Sequence, residues 1–130
     1  MSDLFQSLSV SASGMQAQST RLRHVSENIA NADTPGYRRK LVPFQQVLAQ
    51  GDAKGLVKAG NVQLDQTELP NVYDPSHPMA NENGNYQGSN VDLLIELSDA
   101  RQAQRSYSAN LSMFDQARQM TSSLLELLRR

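Results

Sequence analysis

The fold of this chain turns on residues 3–37, DLFQSLSVSASGMQAQSTRLRHVSENIANADTPGY. Met1, Leu8, Met15, Leu22 and Ile29 recur every seven residues. Leu4, Val25 and Ala32 stand three further on, in a row interrupted by Ser11 and Gln18. Such spacing predicts a helix that packs lengthwise against a partner. The pattern predicts one helix over residues 3–31, roughly 43 Å long at ~1.5 Å per residue. It should stop near Asp33 and Thr34, because Pro35 disfavours helical backbone in the residue before it and Gly36 allows a turn.

Residues 91–128 predict a second helix, roughly 57 Å long on the same rise. Leu93, Ala100, Tyr107, Phe114, Thr121 and Leu128 form one heptad row, and Leu97, Leu111 and Leu125 form the next. Ser89 followed by Asp92 reads as a capping box, with Ser89 or Asn90 as N-cap. Arg129 and Arg130 suit the negative end of the helix dipole. On this reading Leu22 and Leu111 lie in a buried seam between the two helices.

The segment between has another composition. Five of the seven Gly lie between 51 and 88, and four of the five Pro lie between 43 and 78. Val62-Gln63-Leu64 alternates as strands do, and Leu69–Tyr73 reads as extended. Residues 74–78 and 81–84 read as turns. Gly36 is expected to need positive φ, and Gly36→Val to impair assembly more than Gly55→Val, since Gly55 lies in a polar insert.

Composition excludes several function classes. The 130 residues suffice for one ordinary domain, and the formal charge of −1 lacks the basic excess of a nucleic-acid binder. There is no Cys, hence no disulfide, thiolate nucleophile or Cys-based zinc site. The longest aliphatic run, Leu93-Leu94-Ile95, is far short of the roughly 20 residues of a membrane span. No cleavable signal peptide is expected, since no apolar stretch follows a basic start. His24 has only Glu27 nearby, and the simpler reading is a solvent-facing contact. His77 sits between prolines in what reads as a rigid turn. Neither has a third ligand at a recognisable spacing, so no metal or cofactor is expected. Gly51 and Gly55 make a GxxxG spacing in a polar segment, where it carries no meaning for helix dimerisation in lipid. Arg38-Arg39-Lys40 reads as a solvated turn. No Ser lies in a nucleophile elbow, and no catalytic residues are assigned.

The helices themselves carry the functional signal. Residues 4–20 hold no charge over seventeen positions, and between Arg105 and Arg118 only Asp115 is charged. A solvent-facing helix back normally carries Lys and Glu. Ser, Gln and Ala there suit burial against other chains, because small uncharged groups allow close approach without the cost of desolvating a charge. The residues predicted to pack subunits are Leu8, Met15, Leu22, Val25, Ile29, Leu97, Tyr107, Leu111, Phe114 and Leu125.

Asn28-Ile29-Ala30-Asn31-Ala32-Asp33-Thr34-Pro35-Gly36-Tyr37 closely resembles the N-terminal motif of the bacterial flagellar axial proteins, the rod and hook group. Its motif residues here are Asn28, Asn31, Thr34, Pro35, Gly36 and Tyr37, with Asn110 in the second half. Val72–Pro78, Ala80-Asn81, Ser89–Asp92 and Arg105–Asn110 are most similar to the proximal rod members of that group. The short length agrees, since distal rod and hook proteins carry larger inserts. The resemblance implies a structural subunit exported by the flagellar type III apparatus without a cleaved signal. It implies assembly in the periplasm into a helical tube that transmits torque. Implied partners are other copies of the chain, other proximal and distal rod proteins, the rod-base adaptor protein and the export apparatus, with no nucleic acid and no direct membrane span.

The expected fold is mainly α, with long N- and C-terminal helices paired as a coiled coil and a small irregular β-containing insert or extended arm between them. The expected division is residues 1–34 and 90–130 for an inner coiled-coil domain and 35–89 for the arm and insert. A soluble helical adaptor or export chaperone is the alternative; it would share the helices but need neither the Asn28–Tyr37 motif nor the Pro/Gly-rich insert.

Overall fold

A computed structural model describes residues 2–48 and 55–129. Met1, Gly51 and Arg130 lie outside the described residues. Two helices dominate, α1 at Ser2–Ala30 and α2 at Leu93–Arg129. Between them run six short strands: β1 (Lys40–Leu41), β2 (Phe44–Gln46), β3 (Val57–Ala59), β4 (Gln63–Leu64), β5 (Asn71–Tyr73) and β6 (Asn85–Gln87). All pair antiparallel, β1 with β4, β2 with β3 and β5 with β6.

α1 ends as Thr34-Pro35-Gly36-Tyr37 turns the chain. Tyr37 N–H donates to the Thr34 carbonyl at 3.2 Å, and Gly36 takes φ 74°, as expected. Pro second and a positive-φ Gly third is the chemistry of a type II turn. Gly55 has φ 84° and Gly84 has φ 79°, so positive φ alone does not distinguish Gly36 from Gly55. Gly84 is the most constrained of the three. An added Cβ there would lie 2.9 Å from Pro75 Cγ and 3.0 Å from Tyr73 Cε2.

The start of α2 differs from expectation. Asp92 is the N-cap, its Oδ1 accepting from Leu94 N–H at 3.0 Å. Ser89 instead donates its hydroxyl to the Ala32 carbonyl, and Asn90 Oδ1 accepts from Arg39 N–H at 2.7 Å. Ser89 thus fastens the chain just past the end of α1 and Asn90 fastens it to the arm, which leaves the cap to the next acceptor along.

β1–β2 and β3–β4 form one bent ribbon. Its register passes from Lys40↔Leu64 to Phe44↔Ala59 with one extra residue on the second arm, beside Pro43, which has no N–H for the ladder. The ribbon lies along one side of α1, where Val57 N–H donates to Ser13 Oγ at 3.1 Å. Part of the uncharged back of α1 is therefore covered by the chain's own insert. The β5–β6 hairpin closes a turn-rich loop in which Asp74 Oδ1 accepts from Ser76 N–H and Oγ. His77 stacks on Tyr86 at 4.0 Å, and its Nδ1 accepts from Met79 N–H, so it is a turn residue, as read from the prolines.

α1 and α2 pack antiparallel. Gly14 faces Asn110, Arg21 reaches Asp99 and Gln102, and Asn28 reaches Glu96. A Cβ on Gly14 would lie 2.8 Å from Asn110 Nδ2, so the Asn110 amide packs directly on the Gly14 backbone. The buried hydrophobic side chains among the described residues are small: Ala17, Val25, Ala103 and Ala117. The seam therefore follows Gly14, Arg21 and Asn28 on α1 and Glu96, Ala103, Asn110 and Ala117 on α2.

This corrects the predicted seam. Leu97, Leu111 and Leu125 are 51%, 42% and 48% exposed, and Tyr107 and Ile29 are also exposed. Leu8, Met15, Leu22 and Phe114 are half-buried, and of the predicted set only Val25 is buried. Met15, Leu22 and Ile29 each follow a seam residue by one position, as do Leu97 and Leu111. One position is about 100° around the helix. Because the helices run antiparallel, that rotation carries both rows to the same side of the pair. The result is one composite apolar face, opposite the face that carries the ribbon.

Candidate functional site

Two features stand out: a buried polar node at the base of the arm, and the open apolar face of the helix pair. The node is built where the end of α1, residues 37–40, the loop after β4 and the first turns of α2 meet.

Asn28, 1% exposed, organises it. Its Nδ2 donates to the Lys40 carbonyl at 3.1 Å and to Glu96 Oε2 at 3.2 Å. Its Oδ1 accepts from Lys40 N–H at 2.8 Å and Tyr37 O–H at 2.9 Å. Both donors and both lone pairs are used, and Lys40 is held through its two backbone groups as by a neighbouring strand. The rest of the motif closes the turn. Asn31 Nδ2 donates to the Glu27 carbonyl, and Thr34 Oγ1 donates to Asn31 Oδ1.

Glu96 is fully buried, at 0% exposure. Its partner is Arg39, whose Nε lies 2.6 Å from Glu96 Oε1. Arg39 Nη2 lies 3.1 Å from Asp99 Oδ2, and Nη1 lies 3.7 Å from Asp65 Oδ2. Burial works against the Arg39 charge, but Glu96, Asp99 and Asp65 outweigh it and hold the guanidinium above its ordinary value. Asp65 is held below the usual carboxylate range, chiefly by the Thr67 hydroxyl and N–H. Arg38 and Asn90 donate to the Asp65 and Thr67 carbonyls. Lys40 Nζ lies 2.7 Å from Glu27 Oε2, lowering the Glu27 pKa with a smaller contribution from His24 and raising that of Lys40. Burial raises the Tyr37 hydroxyl.

Two expectations fail here. Arg38-Arg39-Lys40 is not a solvated turn, because each cation has internal acceptors. His24 is not solvent-facing; it is buried, 3.3 Å from Glu27 Oε2. Residue-by-residue reading missed Arg39, Asn90, Glu96 and Asp99. The available signal was Glu96 itself, a carboxylate set among Leu93-Leu94-Ile95 and Leu97.

The chemistry of the node is that of a joint. Its carboxylates are engaged by cations or N–H groups, and no His, Asp or Glu trio among the described residues is arranged to hold a metal ion. No described helix is long and apolar enough to cross a membrane.

The open face is the second feature. Leu8, Met15, Leu22 and Ile29 run along it on α1, with Leu97, Leu111 and Leu125 on α2. The antiparallel register carries Ser2 to about residue 122. The last turns of α2, with exposed Leu124, Leu125, Leu127 and Leu128, therefore project past the start of α1.

Comparison with known proteins agrees with this geometry. A family model described as flagella basal body rod protein matches residues 8–38, the span from the second turn of α1 to the Pro-Gly turn and Arg38. A second, the C-terminal region of the flagellar basal body rod FlgEFG proteins, matches residues 82–127. The flagellar basal-body rod protein FlgC of Agrobacterium fabrum is 44% identical over 127 residues, covering 92% of this chain and 91% of the relative. FlgC of Bacillus subtilis is 36% identical, covering 95% and 97%, and FlgC of Salmonella typhimurium is 36% identical, covering 91% and 92%. With such identity sustained over nearly the full length of each relative, the chain belongs to the FlgC family of flagellar basal-body rod proteins.

Proposed function

We propose that this chain is a structural, non-enzymatic subunit of the proximal rod in the flagellar basal body, and that its helix pair polymerises with other copies and other rod proteins into a helical tube. The observation that carries this is the open apolar face. The accessible surface is 9187 Å². A compact 14.4 kDa monomer would expose about 6,800 Å². The excess, on the order of 2,000 Å², is the size of a stable protein–protein interface. The exposed large side chains include Leu93, Leu94, Leu97, Leu111 and Leu125 on α2.

In this reading residues 1–34 and 90–130 form the inner domain of the tube, and residues 35–89 form the arm and insert that run against adjacent subunits. The tube stands in the periplasm and transmits torque for swimming. Rod-base adaptor, proximal and distal rod proteins are its neighbours, and the type III export apparatus delivers it without a cleaved signal. Subunit packing is assigned to Leu8, Met15, Leu22, Ile29, Tyr107, Leu111, Leu97 and Leu125. Val25 and Phe114 contribute from within the subunit.

Negative-stain microscopy of the purified chain mixed with the other rod proteins tests the assignment. Rod-like particles that need this chain are expected. Their absence, with the chain recovered as a soluble one-to-one complex with a single partner, would favour an adaptor or chaperone.

A further inference from the structure

We propose that Arg39 is a positioning residue, whose three-carboxylate grip fixes the direction in which the arm leaves the helix pair without adding to stability. The inference rests on the rod-subunit reading, because the arm's direction matters only to a subunit that must meet neighbours. Three elements meet at this side chain: the arm, through Arg39 itself; α2, through Glu96 and Asp99; and the loop after β4, through Asp65. The large apolar side chains next along the arm, Leu41 and Phe44, are 36% and 39% exposed and Val42 is half-buried, so apolar packing supports this stretch without a fully buried anchor. The backbone around Arg39 is pinned by neutral groups, Asn90 on Arg39 N–H and Asn28 on Lys40, which set register.

Burying a guanidinium and a carboxylate removes both from water, and exchanging such a pair for apolar side chains of similar volume is often neutral or stabilising. What the exchange loses is directionality. The planar fork addresses Glu96, Asp99 and Asp65 at once, which an ammonium cannot do. A simple charge reversal has no standing here either, because a carboxylate at position 39 would face Asp65 and Asp99.

The test uses the full chain carrying Arg39→Met with Glu96→Gln, whose amide oxygen keeps the acceptor for Asn28 Nδ2, and separately Arg39→Lys. Three quantities are read: the melting temperature, the amide exchange of Arg39 and Lys40, and swimming in the host strain lacking its own copy. The double variant should melt at or above the parent temperature, exchange those amides about tenfold faster or more, as loss of a charge-assisted bond implies, and fail to swim. Arg39→Lys should melt near the parent and still show faster exchange and reduced swimming. Parental swimming by the double variant overturns the proposal. So does a large drop in its melting temperature, which would make the cluster a stability element. Full protection and full swimming in Arg39→Lys would reduce Arg39 to a bare charge and also overturn it. Leu111→Asp, on the open face, is the control for the underlying reading. If that strain swims, the assembly assignment is what fails, and amide exchange still decides the role of Arg39.

Discussion

Asn28→Ala is the sharpest probe of the joint. The side chain makes four hydrogen bonds, at 2.8–3.2 Å, three to neutral groups and one to the Glu96 carboxylate. Neutral bonds contribute about 1 kcal/mol each and a charge-assisted one about 1.5–3 kcal/mol. Water entering the void recovers part of the sum, leaving a cost of about 3–5 kcal/mol. For a chain of this size that lowers the melting temperature by roughly 10–20 °C. Asn28→Asp separates hydrogen bonding from charge. It keeps the acceptor for Lys40 and Tyr37 but sets a second carboxylate where an amide now lies 3.2 Å from Glu96 Oε2. Like charge and burial raise the folded pKa of the new acid above its unfolded value of about 3.9. The folded state then holds the proton over a range where the unfolded state has lost it, so stability relative to the parent falls as pH rises through that range. Thermal melts followed by circular dichroism at pH 4.5 and 7 are the assay. Asn28→Asp should lie closer to the parent at the lower pH. An Asn28→Ala melt within about 2 °C of the parent, or a pH-independent gap for Asn28→Asp, would refute the accounting.

Leu111→Asp should change stability by no more than about 1 kcal/mol, since the site is exposed, yet abolish swimming; normal motility would remove the open face from assembly. Leu22→Asp, half-buried on the same face, should abolish swimming at a larger cost in melting temperature. Gly84→Ala should cost more than Gly36→Ala, measured by chemical denaturation. Both incur about 1–2 kcal/mol for left-handed backbone, but only Gly84 has atoms within 3 Å of the new Cβ. Asp92→Ala should cost about 1 kcal/mol through loss of the N-cap; a silent substitution would reinstate Ser89 or Asn90 in that role.

Both helices were legible to within a few residues, because heptad spacing survives interruption and Pro35-Gly36 is an unambiguous stop. The strands at Gln63-Leu64 and Asn71–Tyr73 and the turns around His77 and Gly84 were legible from alternation and turn chemistry. The phase of the seam was not. Apolar periodicity finds the rows of large side chains, and here those rows face outward. The true seam has the same seven-residue spacing in Gly14, Arg21 and Asn28 and in Glu96, Ala103, Asn110 and Ala117, residues that no hydrophobic pattern selects. The ionic node was illegible for a related reason. Arg39, Asp65 and the pair Glu96 and Asp99 are far apart in sequence, and only Glu96, set among leucines, stands out from an ordinary surface charge.

The inversion has a physical logic. Among the described residues the buried apolar side chains are Ala17, Val25, Ala103 and Ala117, and Gly14 leaves room for the Asn110 amide, so the seam is filled without large apolar side chains. It contributes little apolar burial, so the bend at Tyr37–Lys40 is specified by directional bonds that are satisfied within the chain. The large aliphatic groups are thereby left over. Covering a leucine or methionine fully contributes about 1.5–3 kcal/mol. Half-covered groups such as Leu97, Leu111, Leu125, Met15 and Leu22 therefore offer a sum of about 4–8 kcal/mol on docking. Association costs about 4–15 kcal/mol. One such face is thus close to break-even for a pair of subunits and favourable when several neighbours bury it at once. On the rod-subunit reading, a subunit built this way would stay dispersed in dilute solution and commit on reaching a growing tube, where one docking step would cover the open face and the last turns of α2 together.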